Sequence, residues 1–498
     1  MIARETPGAR PLEHLFVEMG YSALGGDFVE LRDPSPGPAP YLVAFNPEVA
    51  ALLDLAPHEG TRPEFLQLAA GNARFTNVPS FAAAYAGHQF GAFVPQLGDG
   101  RAITLGEIAN ARGERWEWQL KGAGMTAFSR FGDGRAVLRS TIREYLASEA
   151  LFHLGIPTTR ALAIAGSDAP VYRESAETAA VLSRIAPSHV RFGTFEFFHY
   201  RRKHDDLRTL ADYTIRRFYP QLTGVAEPRC YLDFFIEVVE RTARLVAQWQ
   251  AAGFAHGVLN TDNMSVLGLT LDYGPYGFLD AYDPGFICNH SDEGGRYSFE
   301  RQPTIGLWNC RALAAALGSL ATPEAFVEAL AAYEPAYRTA FLREMRTKLG
   351  LRVERDEDVK LLIALFDMME DAGADYSGTF RALSHAGAGV SPDDEEFTKP
   401  FREPEAAADW LRRLRARLVD ERDGDAERRC AMLAKNPKFV LRNHLVQHAI
   451  EEAQRGSYAE IERLHALVRA PFDEHPGREA YAGPPPPGAP SVEVSCSS

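Results

Sequence analysis

The sequence predicts an α+β chain arranged as two lobes: strand-rich over residues 1–185, helix-rich over 186–480, with a flexible tail at 481–498. Three observations carry this. Two segments alternate apolar and polar residues around a turn-prone Asn110-Ala-Arg-Gly113, helical periodicity dominates beyond about Asp205, and composition shifts to Pro and Gly from Tyr481.

The alternating segments, Arg101-Ala-Ile-Thr-Leu-Gly-Glu-Ile and Arg115-Trp-Glu-Trp-Gln-Leu, read as an antiparallel hairpin. From Arg139 to Leu154, the apolar positions Ile142, Leu146, Ala150 and Leu154 recur at helical spacing, and Gly155 with Pro157 ends that helix. Strands resume over Arg160–Ala165 and Thr178–Ile185. Phe234, Val238, Thr242, Leu245 and Trp249 then form one long amphipathic stripe. The tail, Tyr481-Ala-Gly-Pro-Pro-Pro-Pro-Gly-Ala-Pro and beyond, is too poor in apolar residues to pack by itself. No repeat of 20 to 50 residues is present, so solenoids and propellers drop out.

Of the 498 residues, 53 are Lys or Arg and 67 are Asp or Glu, a net charge of −14. That balance argues against nucleic acid and anionic membrane as partners, while leaving room for a local basic pocket. No apolar run approaches the ~20 residues of a membrane-spanning helix. The segment Met1–Gly20, with Glu5, Glu13 and Glu18, does not read as a secretory signal. Five scattered cysteines fit neither a disulfide framework nor a zinc site, so a cytoplasmic protein is expected. Nothing in the sequence demands an oligomer, and a monomer is expected.

Four motifs carry chemistry. In Gln96-Leu-Gly-Asp-Gly-Arg101, Gly98 and Gly100 permit close backbone approach to a ligand and Arg101 can meet a phosphate, although a plain turn explains the same residues. Lys121 closes the segment Trp116-Glu-Trp-Gln-Leu-Lys, and Glu144 follows 23 residues later, either orienting that lysine or closing a capping box with Thr141. The third motif is His256-Gly-Val-Leu-Asn-Thr-Asp262-Asn263, an apolar strand segment Val266–Leu271, then Asp272-Tyr-Gly. Protein kinases place His, then Asp two positions on, then Asn seven positions after the His, and later Asp-Phe-Gly. Here Val258 stands where the usual catalytic Asp would be, and a carboxylate appears at Asp262 instead. Asn263 and Asp272 are hard oxygen ligands suited to Mg²⁺ or Mn²⁺. The fourth motif is the pair Arg184 and Arg191, able to clamp phosphate oxygens or to pair with acids at the surface.

Together with Tyr85-Ala-Gly-His-Gln-Phe-Gly, Gln119-Leu-Lys-Gly-Ala-Gly and Arg130-Phe-Gly-Asp-Gly-Arg-Ala-Val-Leu-Arg-Ser, these residues resemble the selenoprotein O family of kinase-like protein adenylyltransferases. The resemblance spans about Phe81 to Pro303 and reappears at the end of the chain. It implies a protein-kinase-like fold that binds ATP in a flipped orientation and transfers AMP to Ser, Thr or Tyr hydroxyls of other proteins. Carried over, Gly98, Gly100, Arg101, Asp133 and Gly134 line the nucleotide site. Lys121, oriented by Glu144, and Arg184 and Arg191 hold phosphates, Asn263 and Asp272 hold the metal, and Asp262 is the base. Nothing visible reads the base of the nucleotide, so UTP is an alternative donor.

The resemblance extends to Cys496-Ser-Ser, where some family members carry selenocysteine three positions from the end. Two readings stand: an inert tail cysteine, or a redox pair of Cys496 with Cys288. Two other functions compete with nucleotidyl transfer. A kinase transferring the γ-phosphate is opposed by Val258, and an inactive ATP-binding scaffold by the retained Lys121, Asp262, Asn263 and Asp272.

Overall fold

A computed structural model describes residues 9–387, 389–490 and 492–495. Its strands are β1 (Phe16–Glu18), β2 (Val29–Leu31), β3 (Tyr41–Phe45), β4 (Phe81–Ala83), β5 (Gly87–Gln89), β6 (Ala92–Val94), β7 (Ala102–Ala109), β8 (Arg115–Lys121), β9 (Ala136–Val137), β10 (Arg160–Tyr172), β11 (Ala176–Ala186), β12 (Phe254–Ala255) and β13 (Gly277–Phe278). Nine of them form one antiparallel sheet in the order β2-β4-β7-β8-β11-β10-β3, with β1 added to β7 and β9 to β11. The hairpin β7–β8 is therefore the predicted one. Gly113 takes φ +79° at its turn, and the Asn110 carboxamide accepts from the amides of Arg112 and Glu114.

Alternation along β8 and β11 sorts their side chains between two faces. Trp118, Leu120 and Ile185 enter one core with Phe65, Ile103 and Leu105. Gln119 and Lys121 share the other face, and Arg184 joins them because it pairs with Gln119 across the strands. The helix Leu138–His153 lies against β10 and β11 and buries Ile142, Leu146 and Ala150. Thr141 bonds back to the carbonyl of Leu138 inside the first turn, so it is not an N-cap and no capping box forms with Glu144.

After β11 the chain is predominantly helical. The helix Arg229–Ala252 buries the whole predicted stripe, including Phe234, Val238, Leu245 and Trp249, each large apolar side chain contributing roughly 1.5–3 kcal/mol. Gly253, with φ +68°, ends it in the left-handed region and releases the chain into β12, which pairs with β13. That short ladder brackets the loop carrying both His256–Asn263 and Asp272.

One expectation needs correction. Val266–Leu271 is not a strand: Ser265 bridges Arg191 and Thr270 bridges Thr158 as single pairs, because a turn with Gly268 at φ +69° breaks the extension between them. The tail is anchored at points, since the Ala482 carbonyl accepts from Arg442 and that of the buried Val494 from the amide of His290.

Candidate active site

The cleft between the polar face of β8 and β11 and the loop 256–275 encloses about 520 Å³. Its walls include Gly98, Gly100, Arg101, Lys121, Asp133, Gly134, Arg184, Arg191, Asp262, Asn263 and Asp272, so one cavity collects the predicted nucleotide, base and metal residues. Glu144 reaches it through Lys121, whose ammonium donates to the Glu144 carboxylate at 2.5 Å and to Asp272 at 3.5 Å.

Asp272 is the hub. Its Oδ1 accepts from Arg184 at 2.6 Å, Arg191 binds its Oδ2, and Arg184 also reaches Glu144 at 3.1 Å. Both arginines are buried, so the alternative of surface ion pairing for them is overturned. Burial by itself would raise the Asp272 pKa, but Arg191, Arg184 and Lys121 outweigh it and hold the carboxyl well below its usual range. Burial likewise lowers the Lys121 pKa against the pull of Glu144 and Asp272. Asp272 sits at φ +58°, a left-handed conformation that an aspartate tolerates better than most residues. Lys121, Arg184 and Arg191 share the two carboxylates of Asp272 and Glu144, which leaves one positive charge in excess, of the sign suited to a polyanion. Arg101, also on the cleft wall, has no carboxylate within 4 Å among the described residues.

Asp262 occupies a 3-10 turn, Thr261–Asn263, and is buried. Its main-chain carbonyl accepts from Arg191 at 2.7 Å and its Oδ2 from the Gln89 amide at 3.1 Å, while Oδ1 is buried without a hydrogen-bond partner. Burial pushes its pKa up to about 7, against the opposing effects of Gln89 and Arg191. Asn263 donates its amide nitrogen to the Val258 carbonyl at 3.0 Å, which leaves its oxygen as the group available to a hard cation. An amide oxygen beside a carboxylate fits a divalent ion by donor chemistry.

Gly98 and Gly100 stand on the cleft wall and also make room for a neighbouring loop. A side chain on Gly98 or Gly100 would collide with Phe128 and Ser129, so the space both provide is filled by the loop 126–134, which itself walls the cleft. Asp99 between them is buried and accepts from the Ala83 amide and from Gln119, each at 3.1 Å. Asp133 pairs with Arg173 at 2.9 Å.

The residues that brace the loop 256–275 had no role assigned to them from sequence. His88 donates its main-chain amide to Thr261 at 2.7 Å and meets Glu196 through its ring at 2.5 Å, and Glu196 also binds the Thr261 hydroxyl. The amide of Phe90 donates to Asn260 and to the Tyr297 hydroxyl. The stretch Tyr85–Gly91 was visible as a motif, but its role depends on contacts about 170 residues away. Cys288 is buried, with its thiol 3.5 Å from the Ala255 carbonyl; Cys496 lies outside the described residues.

A strand lysine paired with a helical glutamate, facing an Asn and an Asp on one loop, is the arrangement with which kinase-like enzymes hold a nucleoside triphosphate. A family model described as "Protein adenylyltransferase SelO" matches residues 11–469, and the chain belongs to that family of protein nucleotidyltransferases. It is 54% identical over 487 residues to "Protein nucleotidyltransferase YdiU" of Myxococcus xanthus, covering 98% of this chain and 99% of the relative. It is 51% identical over 493 residues to the protein of the same name from Thiobacillus denitrificans, again 98% and 99% of the two chains. Among the described residues, no helix is long and apolar enough to cross a membrane.

Proposed function

We propose that this enzyme joins the α-phosphate of ATP to a Ser, Thr or Tyr hydroxyl of another protein through the cleft described above, on a kinase-like frame of two lobes meeting near residue 185. The convergence of Lys121, Arg184 and Arg191 on Asp272, next to an Asp262 whose Oδ1 is unbonded, carries the reading. On this reading the β- and γ-phosphates draw Lys121, Arg184 and Arg191 from carboxylate toward phosphate oxygen and also engage Arg101, which gives up no acid to meet them. The acceptor hydroxyl donates to Asp262 Oδ1. Its oxygen bonds to the α-phosphorus, the bond from that phosphorus to the bridging oxygen breaks, pyrophosphate leaves, and the proton passes to Asp262. A Mg²⁺ or Mn²⁺ ion at Asn263 and Asp272 supplies charge neutralisation to the phosphates when bound. UTP fits as a second donor wherever the base is not read. The enzyme is read as a cytoplasmic monomer, and the contact of Val494 with His290 supports a pairing of Cys496 with Cys288.

Automodification with α-labelled and γ-labelled ATP tests this. Label retained from the α position alone is expected; label from the γ position indicates a kinase, and none from either a scaffold. Asp262→Ala is expected to lose at least ~100-fold in transfer while keeping ATP affinity. Full transfer in that variant would remove Asp262 from the base role.

A further inference from the structure

The cleft has a second rim, opposite the phosphate-binding cations. The hairpin β5–β6 crosses the catalytic loop there, with Gln89 on Asp262 and Phe90 on Asn260, and its tip, Phe90 and Gly91, is exposed. The guanidinium of Arg296 lies against that tip: a side-chain carbon on Gly91 would sit 3.3 Å from its Cζ. Arg296 stacks over Trp308 at 4.7 Å, and its Nε is buried without a hydrogen-bond partner.

Asp292, four residues before it, is already committed, because its carboxylate accepts the main-chain amides of Arg296 at 2.9 Å and Tyr297 at 2.7 Å. That bonding fixes the backbone of Arg296 and leaves its guanidinium with no carboxylate within 4 Å among the described residues. Arg184, Arg191 and Arg173 all hold an acid. A half-buried guanidinium, held over an indole and lacking an acid, is preorganised for a carboxylate from outside.

We infer that Arg296 is a specificity-determining residue for the acceptor, binding an Asp or Glu side chain that flanks the modified hydroxyl while the exposed Phe90 ring contacts the adjoining chain. This rests on Asp262 marking where the hydroxyl enters. With a net charge of −14 the enzyme does not attract acidic proteins at long range, so the selection is local and acts after encounter.

The test uses the full-length enzyme, α-labelled ATP, Mg²⁺ and synthetic Ser-centred peptides in matched pairs carrying Glu or Lys at successive flanking positions. Wild-type enzyme is expected to favour Glu over Lys about tenfold at one or two positions, less so at high salt. Arg296→Glu is expected to reverse that order. Because the readout is a ratio within one enzyme preparation, loss of folded protein cancels. An unchanged Glu-to-Lys ratio in Arg296→Glu, or no label on any Glu-flanked peptide with wild type, overturns the inference. Asp262→Ala separates the two readings: peptides still labelled with the wild-type preference would sink Asp262 as base and leave Arg296 standing, whereas a dead Asp262→Ala beside an unchanged ratio sinks Arg296 alone.

Discussion

Gln89 donates from its side-chain amide to Oδ2 of Asp262 at 3.1 Å, and this leaves Oδ1 of the same buried carboxylate as the oxygen with no partner. With Asp262 as the proposed base, the amide fixes which oxygen is left to meet the acceptor. Gln89→Leu is expected to lower kcat by ~10–100-fold with the KM for ATP changed little, because the contact orients the base and touches no phosphate. Steady-state transfer of α-label at varied ATP measures both constants. A rise in KM with kcat intact would place Gln89 in nucleotide binding instead.

Gly87 guards the same carboxylate from the other side. A side-chain carbon there would lie 2.7 Å from Oδ1 and 3.0 Å from Cβ of Asp262, closer than packed atoms approach. Since Gly87 pairs with Val94 in an ordinary strand, strain should fall on the base rather than on the fold. Gly87→Ala is expected to abolish most transfer while calorimetric ATP binding persists. Wild-type transfer in a folded Gly87→Ala protein would show that Asp262 moves without penalty.

Lys121 should fail along the opposite axis. Its ammonium divides its charge between Glu144 and Asp272 at the end of the cleft proposed to hold the phosphates, and removing it leaves Arg184 still bound to both acids. Lys121→Met is therefore expected to weaken ATP binding by ~10-fold or more and to leave the protein folded. Equilibrium binding of ATP with Mg²⁺, with melting temperature as the folding control, decides this.

The pieces of this site legible in sequence are those whose partners are nearby or whose spacing is fixed. Lys121 at the end of a strand and Glu144 on the following helix fell where their spacing implied, and Asn263 and Asp272 both reached the cleft wall although no strand separates them. Gln89, His88 and Glu196 escaped because their work lies in contacts spanning 108 to 173 residues, which a local pattern does not record. Arg184 and Arg191 were found as a pair, but the burial of Arg184 follows from the β8–β11 register and that of Arg191 from its bridge to Ser265 just before the helix Phe192–Tyr200, and neither was visible in the chain. The hairpin β7–β8 was readable because Asn110 and Gly113 encode its turn. The apparent strand Val266–Leu271 misled because its apolar residues pack individually, with Gly268 interrupting any ladder.

Far from the cleft, Lys348 ends the helix Tyr333–Lys348 and is buried, its ammonium 4.6 Å from the ring centre of Phe380 and 3.4 Å from the Asn436 oxygen. Burial, helped by the charge of Lys435, lowers its pKa to about 7 from an ordinary 10.5. Between those values the unfolded chain holds a proton that the folded chain has lost, so this group makes stability rise with pH across that window. Below about 7 both states are protonated and the penalty is constant; above 10.5 both are neutral and it vanishes. Lys348→Met removes the titration. The stability of wild type relative to Lys348→Met is therefore expected to improve from pH 7.5 to 9.5, by at most about 1.4 kcal/mol per unit. Urea denaturation of both proteins at pH 7.5, 8.5 and 9.5 reads this directly, and a difference that stays constant would mean that the aromatic ring keeps Lys348 charged in the folded protein.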